Sequence, residues 1–274
     1  MMRLWKYVKP VILTSTSLTT LAFAFIPESA FIHGFITVDY SPEWIIICNR
    51  LLVLLAIFLL SGIIAYIYYL CRRSITICDD NYKIVVEYGD IFQKKDCKKI
   101  INFDECYTTK VGNRPDEIKS DSICGQFLMK YREVNFDDVV QNSGIKQLRK
   151  RSDCHKQGCY DRGTLIPYED YLLLAFAKLD ANGCGILSRE EYLQCLDKMW
   201  EEIDCHYAMK SVAIPILGSG ITRFNDEALS KQELLDIIIA SYRLSPHKIK
   251  KPAELHIVCK EDKRFSLNKI GEYI

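Results

Sequence analysis

The sequence predicts an α/β domain, with helices on both faces of a mostly parallel sheet, preceded by an α-helical transmembrane hairpin. Two observations carry this prediction. Two long apolar runs lie within the first 70 residues. Beyond them, apolar strand-like runs alternate with amphipathic helical patterns, which is typical of a sheet covered by helices on both faces. With 274 residues, the chain has room for one sizeable domain and an appendage.

The two apolar runs extend from Val11 to Ile26 and from Leu51 to Leu70. The second run has 20 residues and no charge, which is the length that an α-helix needs to cross a bilayer. We therefore predict a transmembrane hairpin over residues 1–73, with spans at about 8–26 and 47–70 and a short outer loop. Residues 74–274 then form the second domain.

Basic residues predict the orientation of this hairpin. Arg3, Lys6 and Lys9 precede the first run, and Arg72 and Arg73 follow the second. The connecting stretch from Pro27 to Trp44 contains no Lys or Arg, and Arg50 lies at the entry of the second run, where its side chain can extend outward. Because basic residues stay on the cytoplasmic side, both termini and the C-terminal domain should be cytoplasmic.

One alternative remains open for the first run. Ala22-Phe23-Ala24 resembles the cleavage site of a signal peptide. The second run would then act as a stop-transfer helix and leave the following domain inside the cell. Neither run contains a central ionisable residue, so a conduction path would need several copies of the chain.

Capping boxes and apolar runs place the main elements of the cytoplasmic domain. The predicted strands are Lys83–Tyr88, a run ending at Asn102-Phe103-Asp104, Tyr171–Ala177, Val212–Leu217 and Leu255–Cys259. Helices should begin after Ser188 and after Ser230, since each is followed three residues later by a glutamate, Glu191 or Glu233.

The stretch Gly218-Ser219-Gly220 follows the most apolar of these strands and precedes a helix. Glycines allow a ligand to approach the backbone closely, and free N–H groups near a helix N-terminus attract anions. The alternatives are a phosphate-binding loop and a tight turn in a parallel sheet. Ligands of such sheets bind at the carboxyl ends of the strands, where the Asp90 and Asn102 strand ends should also lie.

Composition and spacing exclude several other classes. Lys and Arg total 36 against 35 Asp and Glu, so bulk charge does not favour a nucleic-acid partner. Cys154-His155 with Cys159 does not match the usual paired spacing of zinc sites. The Asp180–Glu191 stretch resembles a calcium loop but has Cys184 at a ligand position. We predict no metal and no catalytic residue.

Three motifs in order resemble those of macro domains. They are Gly89-Asp90-Ile91, the strand ending at Asn102, and the apolar strand running into Gly218-Ser219-Gly220-Ile221. More narrowly, Asn102-Phe103-Asp104, Ser122–Phe127 and Pro215–Arg223 resemble the macro domain of Thoeris antiphage effectors, one type of which has two preceding transmembrane helices. Cys124 stands where the related Ser-x-His-Gly motif has histidine. This resemblance implies a macro-type three-layer α/β/α domain.

The resemblance also implies a ligand of the ADP-ribose type. Asp90 would recognise the adenine amino group, Asn102 and Asp104 would lie near the distal ribose, and Gly218–Arg223 would surround the diphosphate. The implied ligand-binding residues are Asp90, Ile91, Asn102, Asp104, Ser122, Gly125, Gly218, Ser219, Gly220, Ile221, Thr222 and Arg223.

The implied function is that of a multi-pass effector in the bacterial inner membrane. A partner TIR-domain enzyme would make an ADP-ribose-derived signal, histidine-linked ADP-ribose in the related membrane type. The effector would bind it, assemble as a homo-oligomer and damage the membrane, causing abortive infection. Two alternatives stay open: a membrane-tethered ADP-ribosyl hydrolase and a membrane scaffold with a cytosolic interaction domain.

Overall fold

The computed structural model describes residues 2–32, 41–114, 117–149, 158–220, 222–225, 228–262 and 265–271, without the side chains of residues 2–10 and 42. Contacts between Cα atoms divide the chain into two compact units, Met1–Arg72 and Arg73–Ile274.

The first unit consists of two long helices, α1 (Met2–Phe25) and α2 (Pro42–Leu70), with a short 3-10 helix at Glu28–Phe31. Polar contacts connect the chain between them to α2. The Asn49 amide donates to the Phe31 carbonyl at 2.8 Å, and Arg50 pairs with Glu28 at 3.0 Å. Arg50 of α2 therefore pairs with a carboxylate in the short helix that follows α1.

One helix of the described residues, Glu43–Leu70 within α2, is long and apolar enough to cross a membrane. The first predicted span, 8–26, lies in α1, whose apolar part among the described side chains is the shorter stretch Val11–Phe25. Hydroxyl groups in α1 bond back to carbonyls of the preceding turn, as Ser15 does to Val11 at 2.6 Å. These contacts let a polar side chain sit in an apolar helix without an unsatisfied donor.

The second unit carries the mixed α/β fold. Its strands are β1 (Ser74–Cys78), β2 (Lys83–Tyr88), β3 (Cys97–Asp104), β4 (Leu165–Tyr168), β5 (Tyr171–Leu179), β6 (Gly185–Leu187), β7 (Ser211–Pro215), β8 (Arg223–Phe224) and β9 (Leu255–Cys259). Its helices are α3 (Ile123–Lys130), α4 (Phe136–Asn142), α5 (Arg189–His206) and α6 (Lys231–Leu244).

The strands form one sheet in the order β1-β2-β9-β7-β3-β5-β6-β8, and β4 pairs with β5. The five central strands β2, β9, β7, β3 and β5 are mutually parallel. β1 and β4 run antiparallel to their neighbours, as does β6 to β5. Hence the carboxyl ends of five strands share one edge of the sheet.

Helices cover both faces of this sheet, as the sequence predicts. On one face, α5 and α6 pack through residues such as Trp200 and Ile238 against alternate residues of β2, β9, β7 and β5. On the other face, α3 and α4 pack through Phe127 and Phe136 against β3 and β5. The three-layer α/β/α prediction is therefore confirmed.

Both predicted capping boxes are present. The Ser188 hydroxyl accepts from the Glu191 amide at 3.1 Å, and the Ser230 hydroxyl accepts from the Glu233 amide at 3.2 Å. The strand predicted at Val212–Leu217 ends at Pro215, although the next two residues are also buried. The sequence did not predict β1, β4, β6, β8, α3 or α4 as separate elements.

Candidate functional site

The candidate site lies at the carboxyl edge of the parallel strands. There the ladder between β3 and β7 covers only three residue pairs, from Cys97–Ser211 to Lys99–Ala213. Both strands continue beyond this point, so their carboxyl halves are no longer paired with each other. Such a separation of adjacent strands at the carboxyl edge is where open α/β sheets bind ligands.

The loop that follows β7 crosses this edge. In the sheet, β3, β5 and β6 lie between β7 and β8, a distance of about 19 Å for four interstrand spacings. The Tyr192 hydroxyl, on the buried face of α5, donates to the Leu217 carbonyl at 3.1 Å and fixes the start of the loop. Gly218 takes a left-handed φ of +79°, and a β-carbon there would lie 3.2 Å from the Phe224 ring. A residue other than glycine would therefore strain this turn.

The rest of the loop is more open. The Ser219 hydroxyl donates to the Ile216 carbonyl at 2.6 Å, which closes the turn. Gly220 is exposed, and a β-carbon there would meet no atom within 4 Å. The loop thus combines a fixed entry with backbone that is open to solvent at Gly220.

Thr222 and Arg223 lie at the far end of this loop. A β-carbon on Gly185, at the start of β6, would lie 3.6 Å from the Thr222 hydroxyl. Arg223 is exposed and belongs to β8, where it pairs with Ile186. Among the described residues, no carboxylate forms an ion pair with the Arg223 guanidinium. Ile221 lies outside the described residues.

Asp90 and Ile91 follow the carboxyl end of β2. The Asp90 carboxylate accepts from the Phe92 amide at 2.9 Å and caps the short 3-10 helix Ile91–Gln93. Ile91 is buried with Ala213 of β7 and Val258 of β9, which anchors this turn to the sheet. Asp90 is exposed, so its carboxylate remains accessible at the β2 end of the edge.

Asn102 and Asp104 lie in the carboxyl half of β3. Asn102 pairs with Leu174 of β5 and, two residues after Ile100 of the α5–α6 core, projects to the same face of the sheet. The Asp104 carboxylate accepts from the Cys106 amide at 2.7 Å and from the Thr108 amide at 3.2 Å. Asp104 therefore holds the turn that follows β3.

Ser122 and Gly125 form the start of α3. The Ser122 hydroxyl accepts from the Gly125 amide at 3.0 Å and donates to the Lys119 carbonyl at 2.6 Å. A β-carbon on Gly125 would lie 2.1 Å from that same carbonyl oxygen, so only glycine fits. Burial, with a smaller contribution from the negative charge of Asp104, raises the pKa of the Cys124 thiol well above its ordinary value. Cys124 is thus a neutral, buried thiol.

The structure brings the described members of the predicted set to one edge of the sheet, but on its two sides. Ile91 packs near Ile123 of α3, the helix that Ser122 and Gly125 begin, whereas Asn102 and the loop after β7 lie on the face that α5 and α6 cover. Phe103 and Tyr107, on either side of the turn that Asp104 holds, pack in the same buried cluster as Cys124 of α3.

Sequence reasoning missed two residues that support this edge. Arg162 donates to Glu191 at 2.8 Å and approaches the buried Glu105 carboxylate at 4.0 Å. It thus connects the turn after β3 to the first turn of α5. The second residue is Tyr192, which holds the loop carbonyl. The helix that carries Tyr192 is predicted by the capping box at Ser188, but nothing in the sequence indicates where its hydroxyl donates.

Of the two stretches that resemble metal sites, the structure describes the calcium-like one. Asp180 accepts from the amides of Asn182 at 2.9 Å and Cys184 at 2.8 Å, so the calcium-like stretch forms the tight turn between β5 and β6. Cys154-His155 lie outside the described residues. In the part of the chain that is described, no three metal-ligating side chains are grouped together.

Chemically, this edge offers backbone N–H groups beside glycines at one loop and an accessible carboxylate at the β2 end. The first arrangement binds anions such as phosphate, and the second accepts hydrogen bonds from an amine. The site is therefore suited to a ligand that carries both groups.

Comparison with known proteins identifies the family. A family model described as the macro domain of Thoeris protein ThsA matches residues 84–260. Thoeris protein ThsA of Bacillus amyloliquefaciens is 28% identical over 234 residues, which cover 81% of this chain and 78% of that protein.

Solved structures similar to this chain include macrodomains of Oceanobacillus iheyensis. One mutant has a TM-score of 0.44 at 9% identity and covers 74% of this chain and 94% of its own. Another mutant, solved with ADPR, has a TM-score of 0.42 at 10% identity and covers 73% and 94%. Because the ThsA model spans more than half of the sequence, this chain belongs to the Thoeris ThsA macro-domain family.

Proposed function

We propose that the chain is a membrane-anchored antiphage effector whose macro domain senses an ADP-ribose-derived nucleotide. One observation carries the proposal: the Asp90 turn and the loop at Gly218–Gly220 lie at the same carboxyl edge, in a chain of the ThsA macro-domain family. Sheets of this kind bind nucleotides at that edge.

The positions of the groups suit an extended dinucleotide-like ligand. Asp90 follows β2 and Asp104 ends β3, which are three positions apart in the sheet, or about 14 Å. Adenine would bind at the β2 end, where the Asp90 carboxylate accepts from its amino group. The diphosphate would bind the backbone N–H groups of the Gly218–Gly220 loop, and the distal ribose would lie near Asn102 and the Asp104 turn.

In this proposal, a partner TIR-domain enzyme supplies the ligand, with histidine-linked ADP-ribose as the first candidate. The helix α2, with α1 as a second span, anchors the protein in the bacterial inner membrane with both termini cytoplasmic. The ligand activates the effector only if it binds the active homo-oligomer more tightly than the resting form. The assembled hairpins then damage the membrane.

A ligand panel on the full-length protein in detergent tests the sensor. The panel contains ADP-ribose, histidine-linked ADP-ribose, NAD and ATP, and calorimetry with thermal unfolding gives the readout. We expect ADP-ribose compounds to bind and to raise the midpoint temperature of unfolding. A ligand that binds the folded state, present at 100 times its Kd, adds about 2.7 kcal/mol to the free energy of unfolding. If no member of the panel binds or changes the midpoint, the scaffold alternative is favoured.

The same samples separate a sensor from an ADP-ribosyl hydrolase. Incubation with an ADP-ribosylated protein or with histidine-linked ADP-ribose, followed by chromatography, measures release of free ADP-ribose. We expect the ligand to be recovered intact. Catalytic release would contradict the proposed sensor and support the hydrolase.

A further inference from the structure

Two thiols lie in contact beside the candidate site. The Sγ atoms of Cys106 and Cys159 are 3.8 Å apart, although 53 positions separate the residues in the chain. Both side chains are buried, with exposed fractions of 8% for Cys106 and 0% for Cys159.

The Cys106–Cys159 pair connects two segments that border the end of β3. Cys106 lies in the turn after β3, and its amide donates to the Asp104 carboxylate at 2.7 Å. The residue after Cys159, Tyr160, donates its amide to the Glu105 carbonyl at 2.7 Å. A change in the distance between the two sulfurs therefore acts on the turn that Asp104 holds.

We propose that Cys106 and Cys159 form a reversible disulfide when a hydroperoxide oxidises the protein, and that this bond weakens ligand binding at the β3 end of the site. The chain would then carry an oxidation-sensitive control on its sensor domain. The consequence for ligand binding rests on the proposed function, whereas formation of the bond does not.

The chemistry uses both thiols and one hydroperoxide. The Cys106 sulfur, the more exposed of the two, gives up its proton and attacks one peroxide oxygen. The O–O bond breaks and leaves a sulfenic acid on Cys106. The second peroxide oxygen leaves, takes up the thiol proton and becomes water. The Cys159 sulfur then attacks the Cys106 sulfenic acid, an S–S bond forms, and the hydroxide that leaves takes the Cys159 proton. Two thiols lose two electrons, and one peroxide becomes two water molecules.

Bond formation must shorten the distance between the sulfurs from 3.8 Å to about 2.05 Å. Because Cys106 bonds to Asp104 through its backbone, drawing it toward Cys159 disturbs that hydrogen bond and moves the Asp104 turn. We expect affinity for the ligand to fall about tenfold, the factor expected for loss of one charge-assisted hydrogen bond.

Peptide mapping of the full-length protein in detergent tests the bond itself. Samples are treated with hydrogen peroxide or with dithiothreitol, capped with iodoacetamide and digested with trypsin. Cys106 and Cys159 fall in separate tryptic peptides, 100–110 and 157–162, each with one cysteine. Peroxide should yield the two peptides joined and two hydrogens lighter, and dithiothreitol should release them.

Two variants control this measurement. Cys106→Ser should abolish the joined peptide, whereas Cys195→Ser removes another buried thiol and should leave the joined peptide in place. Titration of peroxide-treated protein with ADP-ribose should then show the tenfold loss in wild type and in Cys195→Ser but not in Cys106→Ser. The loss in wild type should reverse with dithiothreitol.

Three results would overturn the proposal. The first is a failure to detect the joined peptide while the exposed thiols of Cys71 and Cys205 are oxidised in the same sample. The second is a joined peptide with unchanged ligand affinity in protein that binds ligand when reduced. The third is a stoichiometric zinc ion that Cys159→Ser loses, since 3.8 Å also suits two thiolates on one tetrahedral zinc with bonds of about 2.3 Å.

Discussion

Substitution of Gly220 by valine tests the placement of the diphosphate directly. Gly220 is exposed, its φ lies outside the left-handed range, and a β-carbon there would meet no atom within 4 Å. The folded protein should therefore accept the valine side chain with a change in the free energy of unfolding of no more than about 1 kcal/mol. The side chain would instead occupy the space in which a ligand approaches the loop.

The expected loss of affinity follows from the contacts that the valine would block. A hydrogen bond from a backbone N–H group to a charged phosphate contributes about 1.5–3 kcal/mol. If two such bonds at Gly218–Gly220 are lost, the binding free energy falls by about 3–6 kcal/mol, which corresponds to at least about 100-fold in Kd.

Calorimetry on the full-length protein gives Kd, and thermal unfolding without ligand gives the stability. Gly218→Ala is a comparison variant for stability within the same loop. Its left-handed φ of +79° and the 3.2 Å approach to Phe224 should cost about 1–2 kcal/mol and lower the unfolding midpoint by about 2–8 °C. Wild-type affinity in Gly220→Val would show that this loop does not contact the diphosphate.

The remaining predictions concern stability. In Gly125→Ala the new β-carbon would lie 2.1 Å from the Lys119 carbonyl oxygen, so thermal unfolding should show a loss of about 1–3 kcal/mol. Tyr192→Phe leaves a buried loop carbonyl without its donor, and chemical unfolding should show a similar loss of about 1–3 kcal/mol. Hydrogen bonds with Ser230 lower the pKa of Glu233 below its ordinary value of 4.5. The ionised carboxylate therefore stabilises the folded state above pH 4.5, and this stabilisation is lost as the pH falls through the lowered pKa. The midpoint of wild type should therefore fall more steeply below pH 4.5 than that of Glu233→Gln.

The sequence predicts those parts of the fold that local chemistry determines. The capping boxes at Ser188 and Ser230 place the starts of α5 and α6, since each satisfies free N–H groups within one turn. The apolar runs at Lys83–Tyr88 and Leu255–Cys259 coincide with β2 and β9. Each of these features depends on neighbours in the sequence, which is why it can be read without a structure.

The parts that were missed depend on distant partners. β8 has only two residues and exists because Ile186 and Leu187 of β6 pair with them. Arg223 therefore begins a strand, where the sequence suggested the end of a loop. The contact between Cys106 and Cys159 likewise requires the fold to bring two distant segments together. No periodicity or spacing indicates either feature.

Several side chains expected to contact the ligand already hydrogen-bond to the local backbone. Asp90 accepts from the Phe92 amide, Asp104 from the Cys106 amide and Ser122 from the Gly125 amide. These local bonds fix the turns, so we expect little conformational entropy to be lost when a ligand binds. A preformed edge of this kind leaves more of the binding free energy available to favour one assembly state over another. The same preorganisation explains why a disulfide at Cys106 would act on binding: it would change the turn that Asp104 keeps in place.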